Sequence, residues 1–216
     1  MTLARVTISQ VRQLDPLHAE QCRAIYLDSF PSYERVDFAT MLHSLAHGKR
    51  WLFIAQDGEN VVGFAVIVPH VAREIHLLEY LAVARAVRGQ GIGGQLLEFV
   101  MDTLRAARTA RGLVLEVEDD TEGNAAERVL RQRRMAFYER YGARVIEDTT
   151  HYRVPMTDRP GTLRLKLLWL SLVADADVPR GARLRECVAG ILTQSYGLSA
   201  DDALVQAILS DIQDTL

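Results

Sequence analysis

The sequence predicts an α/β domain in which antiparallel strands lead into a strand–turn–helix unit, with a pair of amphipathic helices closing the chain. Three observations carry this. Asp57-Gly-Glu-Asn60 joins two apolar runs, residues 51–56 and 61–69, as a tight hairpin does, so the two are antiparallel neighbours. A strand over 74–83 enters the glycine run Arg88-Gly-Gln-Gly-Ile-Gly-Gly94, which opens a helix at Gly91 or Ile92. That helix carries Ile92, Leu96, Leu97, Val100, Met101 and Leu104 at the spacing of one buried face.

Taken in order, residues 4–11 alternate as a first strand. Residues 16–30 read as a helix with Cys22, Ile25 and Tyr26 on one side, and Ser29-Phe-Pro-Ser-Tyr-Glu-Arg35 breaks it. A second helix over 36–45 carries Phe38, Met41, Leu42 and Leu45, with Gly48 as its stop. Beyond the central helix come a short buried strand at 113–117, a polar loop at 119–123 and a long helix at 125–141 stopped by Gly142. Residues 144–154 and 163–173 read as two final strands, with Pro160-Gly161 in the turn between them. The closing helices, 182–196 and 200–216, hinge at Gly197. Their stripes are Leu184, Val188, Ile191 and Leu192, then Leu204, Ala207, Ile208 and Ile212. The expected organisation is a domain over 1–175 and a helical annex over 176–216, packed on that domain or on a partner subunit. Paired apolar stripes favour a homodimer.

With 216 residues, 49% of them apolar, the chain can bury a full core. A net charge of −3 gives no electrostatic case for nucleic acid. The opening Met-Thr-Leu-Ala-Arg-Val-Thr lacks the apolar run of a signal peptide, and no apolar stretch reaches the roughly 18–20 residues of a membrane span. Cys22 and Cys187, far apart, make neither a disulfide framework nor a metal site and read as small buried thiols. The reading is a soluble cytoplasmic protein with no metal, no membrane and no nucleic-acid partner.

Gly89, Gly91, Gly93 and Gly94 uncover backbone N–H groups where the dipole of the following helix is positive, and Arg88 adds a forked, permanently charged donor. This is a seat for phosphate oxygens. Gly89-Gln-Gly-Ile-Gly-Gly94 also satisfies the dinucleotide fingerprint, with Glu116 or Glu118 at about the distance of a ribose-binding acid. Against a nicotinamide or flavin enzyme, that motif opens its domain as the first βα turn. Here strands and two helices precede it, and the hairpin implies antiparallel pairing rather than a doubly wound parallel sheet.

Arg88-Gly-Gln-Gly-Ile-Gly93, preceded by Tyr80-Leu-Ala-Val83, closely resembles the acetyl-CoA signature of the GNAT superfamily of N-acetyltransferases. Downstream, Arg133-Arg-Met-Ala-Phe-Tyr-Glu-Arg-Tyr-Gly-Ala143 resembles the second motif of that family, Phe-Tyr-Glu-x-x-Gly-Phe/Ala at a helix end. The order of elements over 4–173 is similar as well. The resemblance implies the GNAT fold: a mixed, mostly antiparallel central sheet with splayed strands flanked by helices, here with a C-terminal helical hairpin added. It implies acetyl-CoA as co-substrate, with Leu81, Ala82 and Val83 beside the pantetheine arm. The turn of Arg88, Gly89, Gln90, Gly91, Ile92, Gly93 and Gly94 would hold the pyrophosphate. Backbone N–H groups of the motif strand would also polarise the thioester carbonyl, and Tyr138 would protonate the departing thiolate.

A base is needed because an amine arrives as ammonium near neutral pH. Glu79 lies on the same strand face as Leu77, Leu81 and Val83, a partly desolvated place for a carboxylate. The other readings of Glu79 are a clamp for a cationic substrate and a salt bridge. Glu116 and Glu118, alternating onto one face of the following strand, come next, and His76 falls on the opposite parity from Glu79. Many family members carry an Asn about seven residues before the tyrosine, where this chain has Arg131; Asn124 is then the candidate for the pantetheine contact. Arg128, Arg131, Arg133 and Arg134 span more than one helix face and cannot all serve one ligand. The family walls its acceptor pocket with the loop between the first two helices. Tyr33 and Glu34, with Glu79 and Glu116, would there suit the amine of a small molecule or a peptide. Three functions follow: an N-acetyltransferase, an acyl-CoA-binding sensor or regulatory protein with little turnover, and a dinucleotide-dependent oxidoreductase.

Overall fold

The computed structural model describes residues 6–149, 151–174 and 176–213. Residues 4 and 5 of the first expected strand and 214–216 of the last expected helix lie outside these. Among the described residues, eight strands form one mixed, mostly antiparallel sheet flanked by helices, and they hydrogen-bond in the order β1-β2-β3-β4-β5-β8-β6, with β7 on β8 off this path. The chain divides into two compact units, one of Met1–Pro69, Leu78–Ala107 and Thr157–Arg159, the other of His70–Leu77, Arg108–Met156 and Pro160–Leu216.

In the first unit, β1 (Val6–Val11) pairs antiparallel with β2 (Trp51–Asp57), and β2 with β3 (Asn60–Ala72). The expected hairpin is present: Asp57 faces Asn60, and Gly58 takes φ +60°, a left-handed value that glycine adopts without a Cβ clash. Between the first two strands lie α1 (Pro16–Ser29) and α2 (Phe38–Ala46), each capped by an aspartate. Asp15 accepts from the His18 N–H with Pro16 at the first turn, and Asp37 accepts from the Thr40 N–H. A single 3₁₀ turn, Ser32–Glu34, joins the helices. The Tyr26 ring meets Tyr80 at 5.0 Å, and Phe30 meets Tyr80 at 4.9 Å, both edge-on. Tyr80 comes from β4 (Ile75–Val83), which leads into α3 (Ile92–Ala107). All six residues of the expected apolar stripe of α3 are buried. Gly63 lets strand and helix close up, since a Cβ there would stand 2.9 Å from the Ala82 carbonyl oxygen and 3.0 Å from Leu96.

The second unit is built on β8 (Thr162–Ser171), which pairs antiparallel with β5 (Gly112–Glu118), β6 (Arg144–Val145) and β7 (Arg153–Pro155). Residues 144–154 are therefore not the single strand expected. A 3₁₀ turn, Glu147–Thr149, interrupts them. It is held by Thr149 Oγ1 donating to Ile146 O and by Tyr152 N donating to Thr149 O. The chain thus leaves β8 opposite Leu168 and rejoins it opposite Arg164. The buried Trp169 side chain fills the space over Gly112, where a Cβ would lie 2.1 Å from the ring.

Between β5 and β6 runs α4 (Ala125–Arg140), followed by Gly142 at φ +88°. After β8 come α5 (Gly181–Gln194) and α6 (Ala203–Asp211). Leu184, Val188, Ile191 and Leu192 are all buried, as expected. The stripe of α6 is only partly as expected: Ile208 and Ile212 are buried, Leu204 is half-buried and Ala207 is not. Asp202 caps that helix, accepting from the Leu204 N–H, so it opens three residues late and buries Val205 and Ile208 while Ala207 is exposed. One row of α5 meets the β3–β4 connection residue by residue. Glu186 accepts from the Arg73 N–H at 3.2 Å, and Gln194 donates to His70 O at 3.2 Å. Between them, Gly190 lies so close to Val71 that a Cβ would stand 1.6 Å from its carbonyl oxygen. His70 and Glu74 both adopt left-handed backbone, φ +56° and +60°.

Candidate active site

In the first unit the glycine turn follows Val83 through a short 3₁₀ turn, Arg85–Val87. Gly89 and Gly91 sit at φ +80° and +84°. Nothing lies within 4 Å of a Cβ built on Gly89, and only the Gln95 side chain, at 3.9 Å, lies near one on Gly91. The backbone here is open where α3 presents its free N–H groups, an arrangement that fits a polyanion. Arg88 is exposed, but its place is fixed: Nε donates to Val83 O at 2.9 Å, and one terminal nitrogen reaches Asp28 at 2.9 Å and Ser29 Oγ at 3.0 Å. Leu81 and Val83 are half-buried and Ala82 is buried.

Glu79 has a partner the sequence did not reveal. Arg50 donates to both of its oxygens, at 2.6 and 2.7 Å, and the two side chains are only 7% and 6% exposed. Arg50 stands at the head of β2 with no periodic signal around it, so only the fold could pair it with a residue 29 positions on. The loop after α1 is anchored by two phenols. Tyr26 donates to Val36 O at 3.1 Å and Tyr80 to Glu34 O at 3.3 Å, which fixes the backbone that carries Tyr33 and Glu34. Thr157 donates through N to Tyr33 O, and the Arg159 guanidinium lies 5.0 Å from the Tyr33 ring centroid.

In the second unit, Asn124 caps α4 with its side chain, accepting from Ala126 N and Glu127 N, while Glu127 returns a bond to the Asn124 N–H. Its carbonyl oxygen is thus committed to the helix. Arg131 is a buried brace, donating to Asp119 O at 3.1 Å and Glu122 O at 2.7 Å. Glu118 pairs with Arg131 at 3.4 Å and with Arg134. Arg128 donates to Gly123 O. Three of the five arginines on α4 therefore serve the loop and strand beside it.

These contacts make α4 run back along β5. Tyr138 is half-buried, and desolvation pushes its phenol up to about 12, so it stays protonated near neutral pH. Glu116 accepts from Tyr152 and Tyr196, a second pairing invisible in the sequence. His76, the remaining candidate, is a core residue: it is fully buried, and its Nδ1 accepts from the His70 N–H. Among the described residues no group of three or more His, Cys, Asp or Glu could hold a metal ion, and no helix is long and apolar enough to cross a membrane.

An antiparallel meander feeding a glycine turn at a helix start fits an acyltransferase that uses an acyl-CoA donor rather than a dinucleotide enzyme. Residues 48–142 match the family model described as acetyltransferase (GNAT) domain. It is 29% identical over 124 residues to N-alpha-acetyltransferase 30 of Schizosaccharomyces pombe, covering 56% of this chain and 73% of that protein. In fold it is similar to a Bacteroides thetaiotaomicron protein assigned to the GNAT family of acetyltransferases, with a TM-score of 0.68 at 22% identity over 84% of this chain and 93% of that one. A GNAT-family acetyltransferase from Elizabethkingia anophelis, solved with acetyl-CoA bound, aligns with a TM-score of 0.53 at 20% identity over 78% of this chain and 99% of that one.

Proposed function

We propose that the protein moves an acetyl group from acetyl-CoA to a primary amine of a small molecule or peptide by direct attack of the amine on the thioester. The observation that carries this is the open turn from Arg88 to Gly94, with two left-handed glycines at the head of α3. When bound, acetyl-CoA supplies an electrophilic carbonyl on a leaving group that is a stable thiolate. The chain's own residues do the rest. The Arg88–Gly94 turn holds the pyrophosphate, and the Leu81–Val83 backbone aligns the pantetheine arm and donates an N–H to the oxyanion. Tyr138 gives its proton to the departing sulfur, a modest demand because a thiol's pKa is roughly 8.5. The amine's proton goes to a carboxylate, Glu79 or Glu116, directly or through water. Tyr33 and Glu34 line the acceptor side. In this reading the protein is cytoplasmic, and the helices of 176–216 are an annex to a transferase domain over 1–175.

One observation favours the second reading, an acyl-CoA-binding protein with little turnover: Arg50 already engages both Glu79 oxygens. Calorimetric titration with acetyl-CoA, followed by thiol release from a panel of primary amines, separates the two. Micromolar binding lost by at least tenfold in Arg88→Ala, with thiol release, is the result expected of the transferase. Binding without release from any amine leaves the sensor, and no binding overturns both.

A further inference from the structure

An amine attacks a thioester only through a neutral nitrogen, so an acceptor that arrives as ammonium needs a group able to take its proton. The carboxylate on the motif strand is poorly placed to do so. Arg50 donates to both oxygens of Glu79, at 2.6 and 2.7 Å, and the two side chains are only 7% and 6% exposed. A proton on either oxygen would displace one of these charge-assisted bonds and leave a buried guanidinium short of its counter-charge. The phenols around the pair do not substitute for it. Tyr26 of α1 is pushed up to about 12 and Tyr80 of β4 well above the ordinary phenol range, by burial first and by the Glu79 charge as well. The adjoining loop adds Glu34 and Arg35, one charge of each sign. Glu116, the other carboxylate named above for this proton, already accepts from Tyr152 at 2.6 Å and from Tyr196 at 3.1 Å.

We propose that the acceptor is a primary amine of low basicity, of the α-amino kind carried by amino-acid amides and peptides, and that the Arg50–Glu79 pair makes it so. An α-amine, with a pKa of roughly 7.7–8.0, is partly neutral at pH 7. An alkylamine such as a lysine side chain, at roughly 10.4, is neutral in about one molecule of a few thousand. The first sheds its proton to water before it binds. The second depends on a base that Arg50 has already engaged. The atoms balance without one. The neutral nitrogen bonds the acetyl carbon, the carbon–sulfur bond breaks, and the departing sulfur takes the Tyr138 proton. The nitrogen's surplus proton, by then far more acidic, restores the tyrosine through a carboxylate or water. This inference rests on the transferase reading above and narrows its acceptor. The competing role for the pair is purely structural, and the two differ in how amine preference varies with pH.

The test measures thiol release from acetyl-CoA by the full chain, with acceptors offered in matched pairs. The amides of alanine, leucine, methionine and phenylalanine are set against ethylamine, isopentylamine, 3-(methylthio)propylamine and 2-phenylethylamine, which carry the same side chains. The quantity followed is kcat/KM, from about pH 6.5 to about pH 9.5. The expected result is a preference for the amides of at least about tenfold at pH 7. It should be steady below about pH 7.5 and then fall by roughly tenfold per pH unit, because only the alkylamine still gains neutral molecules. Contact with the amide group could raise the preference but could not make it fall with pH. In Arg50→Lys, whose ammonium cannot hold both Glu79 oxygens, the preference at pH 7 should shrink by about fivefold or more. Equal use of the alkylamines at pH 7, a preference that ignores pH, or an undiminished preference in Arg50→Lys overturns the proposal. The wild-type arm decides even if that variant does not fold. Thiol release without the preference sinks this inference alone. No release from either set, or no acetyl-CoA binding, sinks the transferase reading beneath it as well.

Discussion

Arg50 grips both carboxylate oxygens of Glu79, through Nε at 2.6 Å and a terminal nitrogen at 2.7 Å, with hardly any solvent on either partner. A pair this buried is costly to break from one side, because the remaining charge has no water to fall back on. Arg50→Met is expected to lose about 3–5 kcal/mol of stability. Adding Glu79→Leu should restore most of it, and Arg50→Lys should rescue only in part, since an ammonium cannot make the forked contact. Urea midpoints of the single and double variants measure the coupling. Equal losses for Arg50→Met and the double variant would show that the pair itself is not the cause.

Tyr138 keeps its proton through the neutral range because burial pushes it up to about 12. Tyr138→Phe should therefore cut turnover by roughly 10- to 100-fold, near the lower end for a general acid because the thiolate leaves readily. Acetyl-CoA affinity should be unchanged. The acid limb of the pH profile should also keep its midpoint, since it belongs to another group. A shift of that limb in the variant would take the proton-donor role away from this residue.

His76 sets a pH dependence of stability. Burial, and next the nearby His70, lower its pKa from the ordinary 6.5 to about 4. The folded state thus binds fewer protons than the unfolded one below pH 6.5. Its contribution is complete above about pH 6.5 and is lost as pH falls toward 4, in all about 3 kcal/mol. His76→Asn, whose amide oxygen can still accept the His70 N–H, should flatten that part of the curve. Denaturation at several pH values checks this, and parallel curves for the two proteins would refute it.

Gly190→Ala reverses an ordinary expectation. In a helix interior this change gains about 0.5–1 kcal/mol. Here the new methyl would meet the Val71 carbonyl oxygen, so a loss of about 1–3 kcal/mol is expected instead. Thermal unfolding gives the sign, and amide exchange should show the loosening first at residues 70–76.

What the sequence made legible was local. Periodicity gave the buried face of α3, the Asp57–Asn60 turn gave the hairpin, and Gly142 gave the end of α4, because each depends on residues within a turn or two of each other. Helix starts were less clear: Asp202, two places after the expected opening of the last helix, caps α6 and sets its first turn. The interruption at Glu147–Thr149 left no mark either, since its bonds are made by backbone and one threonine hydroxyl.

The candidate site divides the same way. The turn from Arg88 to Gly94 could be read directly because its chemistry lies in consecutive residues. Three candidate side chains have partners that no local pattern shows. Glu79 is tied to Arg50, 29 positions back; Glu116 is tied to Tyr152 and Tyr196, 36 and 80 positions on; and Asn124 is occupied by its own helix. Pattern cannot show such pairings, because a strand order sets them and no spacing repeats them.

Glu186, Gly190 and Gln194 are spaced one turn apart on α5, and each meets a backbone group of residues 70–73 beside two residues in left-handed conformation. Such conformations cost about 1–3 kcal/mol each and persist only where their surroundings over-determine them. The surroundings here are made more than a hundred residues later than the segment they hold. On a ribosome, the far end of the β3–β4 connection must wait, unfinished, until the helix that completes it has emerged. The order of synthesis thus makes this tip one of the last parts of the molecule to settle.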